Sequence, residues 1–117
     1  MFNVVCRHHD DHVKNIAFLK NQRGEWRLSP AFDVIYAWNP QGEWTSRHQM
    51  SVNRERDHIG RNDLVALAER AGIKSKQAHN MLDQVLASAG KWLVFAEEAE
   101  VREKRAEDIR GNLCLDL

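Results

Sequence analysis

The second half of the chain, residues 61–110, has the apolar spacing of amphipathic helices. Apolar residues recur there at three- and four-residue steps, which places them on one helical face. The clearest stripe consists of Ala78, Met81, Leu82, Val85, Leu86 and Ala89. We expect Asn62 or Asp63 to cap a first helix that Gly72 ends, and Ser75 to cap a second helix that Gly90 ends. A third stripe begins at Trp92, and the charge run after it, which alternates in sign, indicates an exposed helix face.

The first half of the chain has the pattern of strands and turns. Short apolar runs at 16–19 and 26–28 enclose a polar segment that contains Gly24, and this arrangement predicts a β-hairpin. Pro30 ends the second strand, because proline cannot donate to a strand ladder. A turn at 39–42 precedes another predicted strand over 44–52. We therefore predict one α+β, mainly helical domain over 1–117, with loop and hairpin in 1–60 and a helical bundle in 61–117.

Composition narrows the classes of function. Seventeen basic and seventeen acidic side chains cancel, which argues against a dedicated nucleic-acid binder, and we expect no direct nucleic-acid partner. No run approaches the roughly 18 apolar residues of a membrane span, and the opening segment is too short for a signal peptide. We expect a cytoplasmic protein without a membrane partner, in which Cys6 and Cys114 are reduced thiols.

Three further segments have simple structural interpretations. Trp38 and Trp44 flank the turn at 39–42, and a small satellite core is favoured there over a docking surface. The basic stretch 47–61 is diluted by Glu55 and Asp57, so a solvated face is favoured over a phosphate or DNA contact. The apolar tail 113–117 is expected to dock on the rest of the chain.

The candidate chemistry lies in the dense polar segment 7–15. Asp10, Asp11 and Asn15 offer the carboxylate and amide oxygens that Mg²⁺ prefers. Asp33 follows the second hairpin strand, and a hairpin brings the residues at its two ends together. The sequence therefore predicts that Asp33 supplies a further oxygen ligand to the same point. The affinity of such a site for Mg²⁺ should be weak, because this ion usually takes few protein ligands.

The histidines of this segment allow a second interpretation. His8 and His12 stand four residues apart and, with Asp10 or Asp11, match the ligand types of Zn²⁺ or iron. Such a site would indicate a metal-dependent hydrolase. We favour neutral histidines that pack and form hydrogen bonds beside the loop, because no second cluster of His and Asp appears downstream.

One combination of motifs resembles a known family. The sequence Asp-Asp-His-x-Lys-Asn at 10–15, then a hairpin, then Leu-Ser-Pro-Ala-Phe-Asp at 28–33 resembles the HipA family of toxin Ser/Thr protein kinases. The resemblance implies a kinase-like C-terminal lobe that uses ATP with Mg²⁺. It assigns Asp10 as the catalytic base, Asn15 and Asp33 as Mg²⁺ ligands, and His12 and Lys14 to cofactor binding.

The resemblance is to the C-terminal part of such a kinase. Two positions differ from the usual kinase motifs. The residue directly before Asp10 is not arginine, and Phe32 precedes Asp33, whereas in most kinases the phenylalanine follows the metal-binding Asp. Nine residues before Asp10 are too few for an ATP-binding lobe. The implied partners are a separate N-terminal kinase lobe, a HipB-like antitoxin and a protein substrate. The alternatives are a non-catalytic module that docks on an antitoxin or a kinase, and a truncated remnant. Each of these implies an apolar patch that the missing parts would cover.

Overall fold

Five α-helices and one β-hairpin make up the molecule. The computed structural model describes residues 1–117. Its elements are α1 (Phe2–Val5), β1 (Phe18–Lys20), β2 (Trp26–Leu28), α2 (Arg61–Arg70), α3 (Ser75–Ala89), α4 (Trp92–Glu98) and α5 (Glu103–Asn112), with a 3₁₀ turn at Val13–Asn15. The predicted mainly helical α+β class is confirmed. None of the helices is both long and apolar enough to cross a membrane.

The hairpin forms where the sequence predicts it. Strands β1 and β2 pair antiparallel, with Phe18 opposite Leu28 and Lys20 opposite Trp26. Gly24 adopts φ +84° in the connection, a conformation that costs glycine little. All six strand residues are exposed, so the hairpin adds little to the core. Its contribution is positional, because it returns the chain to the neighbourhood of residues 15–17 through a hydrogen bond from Ser29 N–H to Ala17 O.

The helices match the predicted ranges, but two predicted caps are wrong. Gly60 is the N-cap of α2, and Asp63 serves as the third helical residue, whose Oδ2 accepts the Gly60 N–H at 2.9 Å. Ser75 is the first residue of α3, and Lys74 precedes it as the cap. At α2 the shift arises because an acceptor one turn inside the helix can satisfy a free N–H group as well as a cap residue can.

The core lies between α1, α2 and α3. Its main cluster contains Val4, Val5, Ile59, Leu64, Leu82 and Ala89. Leu82 is fully buried at the centre of the predicted α3 stripe, whereas Met81 at the edge of that stripe is 39% exposed. The tail docks as predicted, since Leu115 and Leu117 pack against this cluster and Cys114 N–H donates to Val5 O at 2.9 Å.

The predicted strand over 44–52 is wrong. The segment consists of turns and bends, and its one β-bridge is an isolated pair between Val52 and Glu55. Its backbone groups are used by other parts of the chain. The N–H groups of Gln49 and Met50 donate to the side chain of Asp11, and Thr45 O accepts from a histidine ring. A segment whose donors are taken by side chains cannot also form a strand ladder.

The predicted apolar patch is present on the hairpin and on the segment that follows it. Seven large apolar side chains there are between 44% and 66% exposed: Phe18, Leu19, Trp26, Leu28, Phe32, Val34 and Ile35. The expected satellite core at the tryptophans is wrong, because Trp44 is 68% exposed and Trp38 belongs to neither buried cluster. The hairpin side of the molecule therefore presents apolar surface that the chain itself does not cover.

Truncating a side chain at the centre of the α3 stripe should destabilise the fold more than truncating one at its edge. We expect Leu82→Ala to lower the free energy of unfolding by about 2–5 kcal/mol, because it leaves a cavity in the main cluster. Met81→Ala, the matched control on the same helix, should cost less than about 1 kcal/mol, since Met81 is partly exposed. Urea denaturation followed by circular dichroism measures both values, and equal losses would contradict this assignment of the core.

Candidate active site

The structure brings Asp10 and Asn15 together. The 3₁₀ turn at Val13–Asn15 turns the chain back so that Asn15 Nδ2 donates to the backbone carbonyl of Asp10 at 3.1 Å. This bond fixes the amide group and leaves its oxygen as the atom suited to a cation. The spacing of five residues therefore has a local structural reason, which is closure of the loop by one side chain.

His12 and Lys14 lie on the same loop in different surroundings. His12 Nε2 is 3.6 Å from Asp10 Oδ1, and its Nδ1 is buried without a hydrogen-bond partner. Lys14 is exposed in the 3₁₀ turn and forms no ion pair. The lysine is thus available as a free cation, while the histidine stands beside the carboxylate of Asp10.

Asp33 flanks the cleft that Asn15 and His12 line. This cleft, of about 220 Å³, is also lined by residues 28–32 and by Val34. Asp33 lies between two of these lining residues, is exposed and has φ +52°. A non-glycine residue adopts this left-handed conformation at some cost, although Asp tolerates it better than most. The hairpin therefore carries the segment around Asp33 to the loop, while the Asp33 side chain is not itself part of the cleft wall.

Asp11 has a role that the sequence did not reveal. Its Oδ2 accepts the Nδ1–H of His48 at 2.8 Å, and its Oδ1 accepts the N–H groups of Gln49 and Met50 at 2.8 and 3.1 Å. The residue is 6% exposed. Asp11 thus binds the loop to a segment 37–39 residues away, and the interpretation of Asp11 as a cation ligand is wrong. The expected solvated face also fails at His48, which is only 4% exposed.

The hydrogen bonds of Asp11 outweigh the cost of its burial. Burial alone would raise the pKa of the Asp11 carboxyl. The hydrogen bonds from His48 and from the backbone of Met50 and Gln49 have the larger combined effect, so the pKa lies below its usual value. The carboxylate is therefore ionised at neutral pH. Its charge is what makes the two backbone contacts strong.

His8 and His9 are buried hydrogen-bond donors. His8 Nδ1 contacts Ile35 O at 2.9 Å, and His9 Nδ1 contacts Thr45 O at 3.0 Å; a carbonyl only accepts, so both nitrogens carry the proton. His9 Nε2 is buried without a partner. Burial, followed by the nearby His48 and Arg7, lowers the pKa of His9 to about 4. His9 is therefore neutral, as the sequence interpretation favoured.

The zinc or iron alternative has no support in this geometry. His8 uses one ring nitrogen on Ile35 O, and no three His, Cys, Asp or Glu side chains are placed so that they could hold a metal ion. The Mg²⁺ ligands implied by the resemblance differ, because they combine the Asp33 carboxylate with the Asn15 amide. Both of these groups offer oxygen atoms, which suit a hard cation.

Loss of the Asp11 charge should destabilise the fold. Asp11→Asn replaces one acceptor oxygen by an NH₂ group, so at least one buried donor of the 48–50 segment loses its partner. We expect a loss of about 2–4 kcal/mol in the free energy of unfolding. The control Asp10→Asn should change it by less than about 1 kcal/mol, because Asp10 is partly exposed. Similar losses in urea titrations of the two variants would contradict this role for Asp11.

The lowered pKa of His9 predicts acid sensitivity. The unfolded chain binds a proton at His9 near pH 6.5, whereas the folded chain binds it only near pH 4. The contribution of neutral His9 to the free energy of unfolding is therefore fully present above pH 6.5 and is lost as the pH falls towards 4. At about 1.4 kcal/mol per pH unit, the loss is roughly 3 kcal/mol. His9→Asn keeps a donor near Thr45 O and should flatten this slope. His58→Asn, at a side chain 96% exposed, should not. An unchanged slope in His9→Asn, measured by urea titration from pH 4 to 7, would contradict the prediction.

Comparison with known proteins identifies the family. No curated protein and no solved structure matches the chain. The model of the HipA-like C-terminal domain matches residues 1–93, which include the loop, the hairpin, Asp33 and helices α2 and α3. The resemblance inferred over essentially the whole chain thus extends to residue 93, and α5 and the tail lie beyond the match. With about four-fifths of its length matched, the chain belongs to the family of HipA-like C-terminal domains.

Proposed function

We propose that the chain supplies the catalytic loop and the metal ligands of a HipA-like Ser/Thr protein kinase, completed by an ATP-binding lobe. One observation carries the proposal. In a member of this family, the loop of Asp10 is closed by the side chain of Asn15, and Asn15 and the residues flanking Asp33 border one cleft. Kinases need these three groups at one place, with the base and one metal ligand on the catalytic loop and the other ligand on a separate segment.

In this proposal each residue has a distinct task. Asp10 orients the hydroxyl group of the protein substrate and accepts its proton. Asn15 Oδ1 and the Asp33 carboxylate are the oxygens that would hold Mg²⁺. When bound, Mg²⁺ with ATP supplies charge neutralisation at the phosphates and the group to be transferred. His12 and Lys14 line the loop, and the free ammonium group of Lys14 suits contact with a phosphate.

The exposed apolar surface supports a role for partners. The hairpin and residues 32–35 expose large apolar side chains next to the cleft that Asn15 lines. An ATP-binding lobe that docks there would cover this surface and close the cleft. The same surface favours the second candidate, a non-catalytic module that binds a HipB-like antitoxin or a kinase. The two candidates differ in whether the carboxylates are needed for ATP binding.

Calorimetry with ATP and Mg²⁺ distinguishes the two candidates. We expect Mg²⁺-dependent ATP binding by the chain together with its ATP-binding lobe, and we expect Asp33→Asn to weaken it at least about 100-fold. Asp10→Asn should leave ATP affinity intact but lower the rate of phosphoryl transfer by about 10²–10⁴-fold, because a base acts on the hydroxyl group.

The control is Asp116→Asn, which removes an exposed carboxylate of the tail and should change neither quantity. Absence of Mg²⁺-dependent ATP binding, with and without the lobe, would refute the kinase proposal. ATP binding that Asp33→Asn leaves unchanged would also refute the assigned metal ligands.

A further inference from the structure

A second cleft lies on the other flank of the loop, and its walls are basic. It has a volume of about 410 Å³, and its polar lining residues include Arg7, Ser46, Arg47, His48, Asp57 and His58. Arg7 precedes Asp10 by three residues, while residues 46–48 belong to the segment held by Asp11. The cleft thus forms where two sequence-distant basic segments meet, which explains why the sequence alone indicated only a diluted basic stretch.

The guanidinium group of Arg7 is held in place before any ligand arrives. Its Nε donates to Asn112 O at 3.0 Å, and its Cζ lies 5.1 Å from the centre of the Trp38 ring, which also lines the cleft. Both terminal NH₂ groups remain for another acceptor. The Arg7 backbone has φ +53°, a strained conformation for a side chain of this size. A fixed guanidinium group loses little conformational entropy when it binds an anion.

No carboxylate neutralises the two arginines of this cleft. Arg47 is exposed and forms no ion pair, and the carboxylate of Asp57 instead lies 3.6 Å from His58 Nε2. His48 contributes its ring to the wall while its Nδ1 donates to Asp11. The cleft therefore holds two guanidinium groups without an ion pair, the hydroxyl group of Ser46, and one half-exposed carboxylate at Asp57.

We propose that this cleft binds a single phosphate group between Arg7 and Arg47. Guanidinium groups suit phosphate oxygens because they donate two parallel hydrogen bonds. The small volume and the zero net charge of the chain favour one phosphate group over a nucleic-acid polyanion. The source is either inorganic phosphate or a phosphorylated side chain of a peptide. The proposal does not depend on phosphoryl transfer, since it involves neither Asp10 nor Asp33.

Binding can be tested on the intact chain without ATP or Mg²⁺. Calorimetry would compare inorganic phosphate, a phosphoserine peptide, the same peptide unphosphorylated, and sodium sulfate. We expect Arg47→Gln to weaken phosphate binding about tenfold, and Arg7→Gly to do the same. Glycine suits the positive φ at position 7, so this variant should remain folded, which circular dichroism would verify. Arg27→Gln, at an exposed arginine of β2, is the matched control and should have no effect.

The comparison of these ligands distinguishes inorganic phosphate from a phosphorylated side chain and can also refute the proposal. Tighter binding of the phosphopeptide than of inorganic phosphate identifies a phosphorylated side chain as the ligand, whereas equal binding identifies the phosphate group alone. Absence of binding to both, or equal heats for sulfate and phosphate, would refute the site. An equal loss in Arg27→Gln would refute it too, because the effect would then reflect net charge. Binding of the unphosphorylated peptide as tight as that of the phosphopeptide would also refute it, because the phosphate group would then not be recognised.

Discussion

The arrangement of the loop depends on one buried carboxylate. Asp11 is removed from water, which is costly for a charge unless strong donors replace the solvent, and it obtains three donors from His48, Gln49 and Met50. Breaking this contact would leave either an unpaired charge or unpaired N–H groups in the interior. The loop at 7–12 and the segment at 45–50 are therefore fixed to each other, and Asp10, as the residue directly before Asp11, has its backbone position fixed as well.

Local signals made most of the fold predictable. Helices α2 and α3 follow from apolar periodicity and glycine stops, and the hairpin follows from a turn between two short apolar runs. The strand over 44–52 was wrong because its competitor was not local. The acceptor that takes its N–H groups is a side chain 38 residues earlier in the sequence. The pattern of apolar and polar residues over a short stretch of sequence cannot reveal such a distant partner.

In the candidate site, too, the local features were predictable from the sequence and the long-range contacts were not. The spacing of Asp10, Asn15 and Asp33 was informative because a closed loop and a hairpin convert short separations into proximity. The different environments of Asp10 and Asp11 were not predictable, since two adjacent carboxylates look alike in sequence. Asp11 is buried against the 48–50 segment, whereas Asp10 remains partly exposed. His48 carried no local signal, because its partners Asp11 and His9 lie far from it in the sequence.

Helix α5 matters to the loop even though it lies beyond the part that matches the family. The backbone oxygen of its last residue, Asn112, accepts the bond from Arg7, and Arg105 of the same helix lies 5.4 Å from the Tyr36 ring. The helix is itself anchored by Trp92, whose Nε1 donates to Ala106 O at 2.9 Å. A strained residue such as Arg7 keeps its conformation only when its surroundings determine it. The C-terminal helix therefore supplies part of the support that the loop, with Asp10 three residues further on, requires.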